Sequence, residues 1–234
     1  MTTGLKLTAA AAFLVLVGGS TRALADTVQL NPSKDNTLYE DDTGQSSNGT
    51  GQHFFVGRIS QGLIRRGLIA FDIACNIPAG STINSVTLTL HMSMARGPEV
   101  EIDLHAALAD WGEGASVPDR PGEGSGGPAA PGDATWLHTF YDSQFWSTPG
   151  GDYSTVVTSS AAVSSPGFYT FDSTFDPGLV SDVRRWLDQP ETNFGWVVTV
   201  TDEFYPMSAK RFDSSKNSDP TFQPRLTVNF TPGF

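Results

Sequence analysis

From Val86 to Met94 the side chains alternate without a break, with Val86, Leu88, Leu90, Met92 and Met94 on one side and Thr87, Thr89, His91 and Ser93 on the other. A period of two belongs to a strand with one buried face, so a long strand is expected here. After Ala95-Arg96-Gly97-Pro98 the alternation resumes, with Val100, Ile102 and Leu104 set against Glu99, Glu101, Asp103 and His105. The two segments are therefore expected to pair as an antiparallel hairpin. Matching their apolar faces places His91 opposite Asp103 and His105 opposite Thr89.

Shorter strands are predicted at 27–30, 37–39, 53–57, 68–73, 154–157, 167–171, 195–200, 210–212 and 225–230, separated by Gly, Pro, Asn, Asp and Ser. Many short strands punctuated in this way point to an all-β chain, a single jelly-roll-like antiparallel β-sandwich. One segment departs from the pattern. Asp176-Pro177 reads as a cap followed by a first-turn proline, and Leu179, Val180, Val183, Trp186 and Leu187 then recur on one helical face before Pro190, which predicts a short helix at about 178–188. Residues 112–135 are too rich in Gly and Pro for regular structure and form a long loop, either a solvated insertion or a binding element.

Residues 1–25 have the makings of a secretory signal: Lys6, the apolar stretch from Ala9 to Val17, then Ala23-Leu24-Ala25 as the cleavage pattern. The expected product is residues 26–234, exported to the periplasm or beyond. No segment approaches the roughly 20 apolar residues of a membrane span. The full chain carries a formal charge of -11, and losing Lys6 and Arg22 leaves 12 basic against 25 acidic side chains, or -13. Such a balance disfavours nucleic acid, and a polyanionic ligand needs a local basic patch or a bridging ion. Cys75 is the one cysteine, which rules out an internal disulfide and suggests a small buried side chain, with an intermolecular bridge as the alternative.

Asp35, Asn36, Glu40, Asp41 and Asp213 are candidate calcium ligands, because hard oxygen donors followed by the flexible run 44–51 suit that ion. The alternative is an acidic turn paired with Lys210 or Arg211. In the hairpin register, His91, Asp103, His105 and Glu101 would form an imidazole–carboxylate group, either a metal or acid–base site or ordinary polar-face neighbours. The aromatic run 136–146, with Trp111 before it, suggests a surface on which sugar C–H faces could stack. The candidate carbohydrate contacts are Trp111, Trp136, Tyr141, Trp146, Asp152 and Arg66, although the tryptophans could instead be corner plugs. Arg65 and Arg66 must point to opposite faces of a strand, and one of them, with Arg58, Lys210 or Arg211, could supply the basic spot that a uronate requires.

Several segments together resemble the DNRLRE domain family: Asp35-Asn36-Thr37-Leu38-Tyr39-Glu40, Arg65 to Ile73 with the following Ile77 to Ile83, Asp110 to Gly114, Trp146 with Pro149 to Asp152, and Lys210 to Ser214. Thr37 and Tyr39 stand where the family name has arginine. The resemblance spans nearly the whole mature chain and implies a secreted β-sandwich. Part of that family is classed as carbohydrate-binding module family 96, with alginate as the ligand known, and other parts are related to disaggregatases. The expected function is thus a secreted, non-catalytic module for an extracellular polysaccharide, with calcium as the candidate cofactor. The alternatives are a polysaccharide hydrolase or lyase and a structural surface or matrix protein, and no catalytic motif is visible.

Overall fold

A computed structural model describes Met1 and residues 24–233; most of the proposed signal segment lies outside the described residues. The strands in chain order are β1 (Asp26–Leu30), β2 (Lys34–Tyr39), β3 (Ser46–Ser47), β4 (His53–Arg58), β5 (Ile64–Ala70), β6 (Thr82–Ala95), β7 (Val100–Ala107), β8 (Gly127–Pro128), β9 (His138–Phe140), β10 (Gln144–Phe145), β11 (Tyr153–Val163), β12 (Gly167–Asp172), β13 (Trp196–Val200), β14 (Lys210–Asp213) and β15 (Arg225–Thr231). One helix, α1 (Gly178–Asp188), lies between β12 and β13. Eleven of the strands form one antiparallel sheet that curls over itself into two layers.

The β6 layer holds β12 on one side of β6, and β15 and β14 on the other, with β1 and β4 beyond them. The β7 layer runs from β2 through β5, β13 and β7 to β11. β4 turns the corner between them: His53 to Val56 pair with β14, and Gly57 and Arg58 pair with β5. The main core lies between the layers, where Leu88, Leu90, Met92, Phe54 and Phe212 meet Ile69, Leu104, Trp196 and Val198. α1 closes one end through Leu179, Val183 and Trp186.

The helix has the predicted bounds but not the predicted cap. Pro177 occupies the capping position, and the Asp176 carboxylate accepts a hydrogen bond from the Ser159 hydroxyl instead. Among the described residues no helix is long and apolar enough to cross a membrane.

The β7 layer is apolar on both faces. Ile69, Trp196 and Val198 face the main core, while Leu68, Ala70 and Val197 face a second cluster with Trp111, Ala134, Trp136 and Trp146. This explains why residues 68–73 and 195–200 read as continuous apolar runs: alternation is lost when both faces are covered. The cover is residues 109–153, which include the Gly/Pro-rich segment. That segment is a packed flap, tied down by bonds from the Tyr39 hydroxyl to the Glu123 carbonyl (2.9 Å), from Ser47 to the Ala134 carbonyl (2.9 Å) and from the Asn36 amide to the Glu113 carbonyl (2.9 Å).

The expected hairpin does not form. β6 pairs with β12, β14 and β15, and β7 pairs with β11 and β13, so the 96–99 turn carries the chain from one layer to the other. Alternation specifies which face is buried, and Val86, Leu88, Leu90, Met92, Ile102 and Leu104 do enter the core, but Met94 is 42 % exposed, Asp103 and His105 are covered on the other face, and the pattern does not name the partner strand. Cys75 is exposed in the turn after β5, not buried, because the turn loops outward between Ile73 and Ile77, whose side chains enter the core.

Candidate functional site

The outer face of the β6 layer carries an open groove of about 410 Å³. β4 supplies Phe55 and Arg58, the end of β6 and the turn after it supply Met94 and Arg96, and β14 supplies Lys210 and Arg211. Gly122, Gly124 and Ser125 of the flap form one wall and Met207 another, and no acidic side chain lines it. Among the described residues none of Arg58, Arg96 and Arg211 forms an ion pair. Arg211 Nε donates to the Ser93 hydroxyl (3.0 Å), and the Arg58 guanidinium reaches the Glu203 carbonyl (3.5 Å) and the Phe204 ring (6.0 Å). These contacts orient the guanidinium groups without neutralising them.

Lys210 plays a different part. It is 1 % exposed, and its ammonium donates to the Arg96 and Pro98 carbonyls at 2.8 and 2.9 Å, clamping the turn that carries Arg96. Burial pulls its pKa below the ordinary lysine range. Gly97 completes that turn with φ +70°, and a Cβ there would collide with the Met207 carbonyl. The loop after β13 projects Phe204 (81 % exposed) toward the Arg58 guanidinium and leaves the next ring, Tyr205, 44 % exposed.

Beside the groove on the same face runs a line of ionisable groups. His53 stands between Glu123 (3.1 Å) and Asp213 (3.4 Å), and His91 contacts the other oxygen of Asp213. Burial works against the charge on Glu123, but His53, Asn48 and the Gln52 N–H outweigh it and hold the carboxyl below its usual range. Glu123 thereby fixes the flap segment that walls the groove.

A second, shallower cleft of about 320 Å³ contains Arg66, Asp152 and Tyr153. Here the arginine is already engaged. Arg66 binds both Glu203 oxygens at 2.7 Å, donates to the Gly150 carbonyl at 2.7 Å, and lies over the rings of Trp136 (5.0 Å) and Tyr153 (5.2 Å). Asp152 caps the 147–151 turn by accepting the Ser147 and Thr148 N–H groups.

The residues proposed as sugar contacts therefore divide. Arg66, Asp152 and Trp136 come together, but as structural partners. Trp111, Trp136 and Trp146 are buried at 0 %, 9 % and 5 % exposure, and the indole N–H groups of Trp111 and Trp146 are spent on the Phe194 and Thr135 carbonyls, so these rings do not present faces to a ligand. Tyr141 is half-buried against His138.

The proposed calcium ligands do not converge. Asp35 accepts the Ser215 N–H (2.7 Å), and Asn36 accepts from the Thr37 and Asn48 N–H groups. Glu40 accepts the Ile64 N–H (2.5 Å), Asp41 accepts from Thr43 and Gln45, and Asp213 faces the two histidines and Asn217. Their oxygens serve different local donors, and among the described residues no group of three His, Cys, Asp or Glu is arranged to hold a metal ion.

Asp103 and His105 lie on the outer face of the β7 layer, bound to Ser160 and Thr201 and to the Ser154 carbonyl, whereas His91 is on the opposite side of the molecule. The expected imidazole–carboxylate group is thus replaced by one between His91 and Asp213. Arg65 and Arg66 do point to opposite faces: Arg65 lies over the Tyr39 ring (4.9 Å) and reaches the Gly124 carbonyl.

Asp35 has a separate consequence. Burial, reinforced by Glu113, pushes its pKa up to about 6, while Ser215 and Lys216 oppose the rise. Its folded-state pKa exceeds the ordinary 3.8, so its contribution to stability is full below pH 3.8 and is lost as pH rises through 6. Asp35→Asn is expected to stabilise the domain at pH 8 by up to about 3 kcal/mol and to gain almost nothing at pH 3.5. Thermal melts of both proteins at the two pH values check this; equal differences at both would refute the assignment.

The expected basic spot was one of Arg65 or Arg66 with Arg58, Lys210 or Arg211; Arg65 and Arg66 are engaged elsewhere, while Arg58, Lys210 and Arg211 line the groove with Arg96 and Phe55, which only the strand pairing brings there. Comparison with known protein families finds none that matches the chain, and comparison with curated proteins finds no match.

Proposed function

We propose that the chain is an exported, non-catalytic module that binds an acidic extracellular polysaccharide in the groove of the β6 layer. The observation that carries this reading is the groove's composition: Arg58, Arg96 and Arg211 converge with no acidic neighbour in its lining, on a protein whose net charge is strongly negative. Random placement of basic groups in an acidic chain favours ion pairing, and here the guanidinium groups are held apart from carboxylates. Arginine forks match the two oxygens of a carboxylate or the oxygens of a sulfate ester. The apolar floor of Phe55 and Met94 and the exposed rings of Phe204 and Tyr205 suit the C–H faces of the sugar rings.

The resemblance to the DNRLRE family, part of which is classed as carbohydrate-binding, points the same way. Calcium has no part in this reading, because the basic groove supplies the countercharge itself.

Calorimetric titration against alginate, pectate, a sulfated galactan and a neutral glucan tests it, with a parallel assay for new reducing or unsaturated ends. The expected outcome is saturable binding to an acidic polymer, none to the neutral glucan, and no product. Product release would favour a degrading enzyme, and binding to none of the four would remove the groove from consideration.

A further inference from the structure

The binding face extends beyond the arginines. Phe168 on β12, His91 on β6, Asp213 on β14 and His53 on β4 stand side by side across four neighbouring strands, all on the groove's face of the layer. The His91 ring is flanked by Phe168, with centroids 4.7 Å apart, and by Phe222, at 4.3 Å with planes 25° apart. Phe168 is 56 % exposed although it sits in a regular strand. A single exposed phenylalanine needs no explanation, but this one adjoins an oriented polar group.

The Asp213 carboxylate faces His91 Nδ1 and orients the ring, while Asn217 donates to its other oxygen at 2.9 Å. His91 Nε2 makes no hydrogen bond among the described residues and is left for a ligand hydroxyl, which can accept from it or donate to it. An aromatic wall beside an oriented imidazole is the chemistry that takes a pyranose ring, C–H face to the phenyl and hydroxyl to the imidazole. Two strand spacings across and about two residues along separate Phe168 from Arg211, roughly 12 Å. That distance is spanned by a short oligosaccharide and not by one sugar.

We infer that Phe168, Phe222 and His91 form a second sugar subsite on the same face, which takes an uncharged ring face of the chain whose acidic groups sit in the groove. The inference rests on the groove being a polysaccharide site. The module then grips the interior of an extended chain, and its affinity depends on chain length.

Titration with a ladder of oligosaccharides cut from the acidic polymer that binds tests this on the wild type and on Phe168→Ala, whose exposed position leaves the fold intact by thermal melt. Wild-type affinity is expected to rise with the shortest acidic fragments and again once the chain reaches the second subsite. Phe168→Ala is expected to lose only the second gain, about fivefold to tenfold, with short-fragment affinity unchanged. An affinity that levels off at the shortest fragments, or a Phe168→Ala variant that binds long chains like the wild type, overturns the subsite and leaves the groove standing. No binding by the wild type at any length overturns both.

Discussion

Trp111→Ala is expected to cost the fold about 4 kcal/mol, the usual toll of emptying a fully buried tryptophan site. Trp111 is 0 % exposed in the second core, its indole N–H donates to the Phe194 carbonyl at 2.8 Å, and Lys34 lies 4.3 Å over its ring while donating to its carbonyl at 2.5 Å. One side chain thus ties β2, the flap and the segment before β13 together. A loss of that size is a large fraction of the 5–15 kcal/mol that a domain normally has. Hydrogen exchange is expected to rise first across residues 109–153, since these depend on the second core, and later in β6 and β15. Calorimetric melting and exchange check both points. A variant that kept its melting temperature and lost only glycan binding would return the sugar contact to the tryptophans.

The same second core marks where sequence reasoning succeeded and where it stopped. The long strand β6, the helix at 178–188 and most of the short strands were legible, because each rests on a local pattern: alternation, a 3.6-residue stripe or a turn residue. The partner of β6 was not, since apolar faces on β6 and β7 match equally well whether the strands share a layer or oppose one another across the core. The packing of the flap was not legible for a different reason. Glycine and proline usually signal a solvated loop, but here Gly114 and Gly126 permit close backbone approach to Asp133 and Ser47, and the loop packs down. Once that cover exists, Trp111, Trp136 and Trp146 have an interior to enter, and their promise as exposed platforms disappears.

The candidate site was partly legible for a similar reason. Arg58 and Arg211 could be suspected as a basic spot, but Arg96 lies in the turn expected to close the β6–β7 hairpin. In the folded chain that turn crosses between layers and is clamped by Lys210 against β14, which brings Arg96 to the groove. The segments that carry the family resemblance meet elsewhere: Lys34 binds Asp110, Asp35 binds Ser215, and Arg66 binds Gly150. They form the joint that fixes the flap on the sandwich. A resemblance resting on those segments therefore speaks for the fold more than for the ligand.

Replacing Arg58, Arg96 and Arg211 together with glutamine is expected to weaken binding of the acidic polymer at least about a hundredfold. Each charge-assisted contact is worth about 1.5–3 kcal/mol, and the losses fall on one ligand. Stability should change little, because none of the three is in an ion pair among the described residues. Added salt should weaken wild-type binding and leave the residual binding of the variant nearly unchanged.

Selection of the ligand by its negative charge is tested by changing only that charge. Titrating the wild-type protein with the acidic polymer that it binds, and with the same polymer after chemical reduction of its carboxylates or removal of its sulfate esters, leaves the sugar backbone in place. The structure predicts saturable binding to the native polymer and at least about a hundredfold weaker binding to the neutralised one. Equal affinity for the two would contradict it.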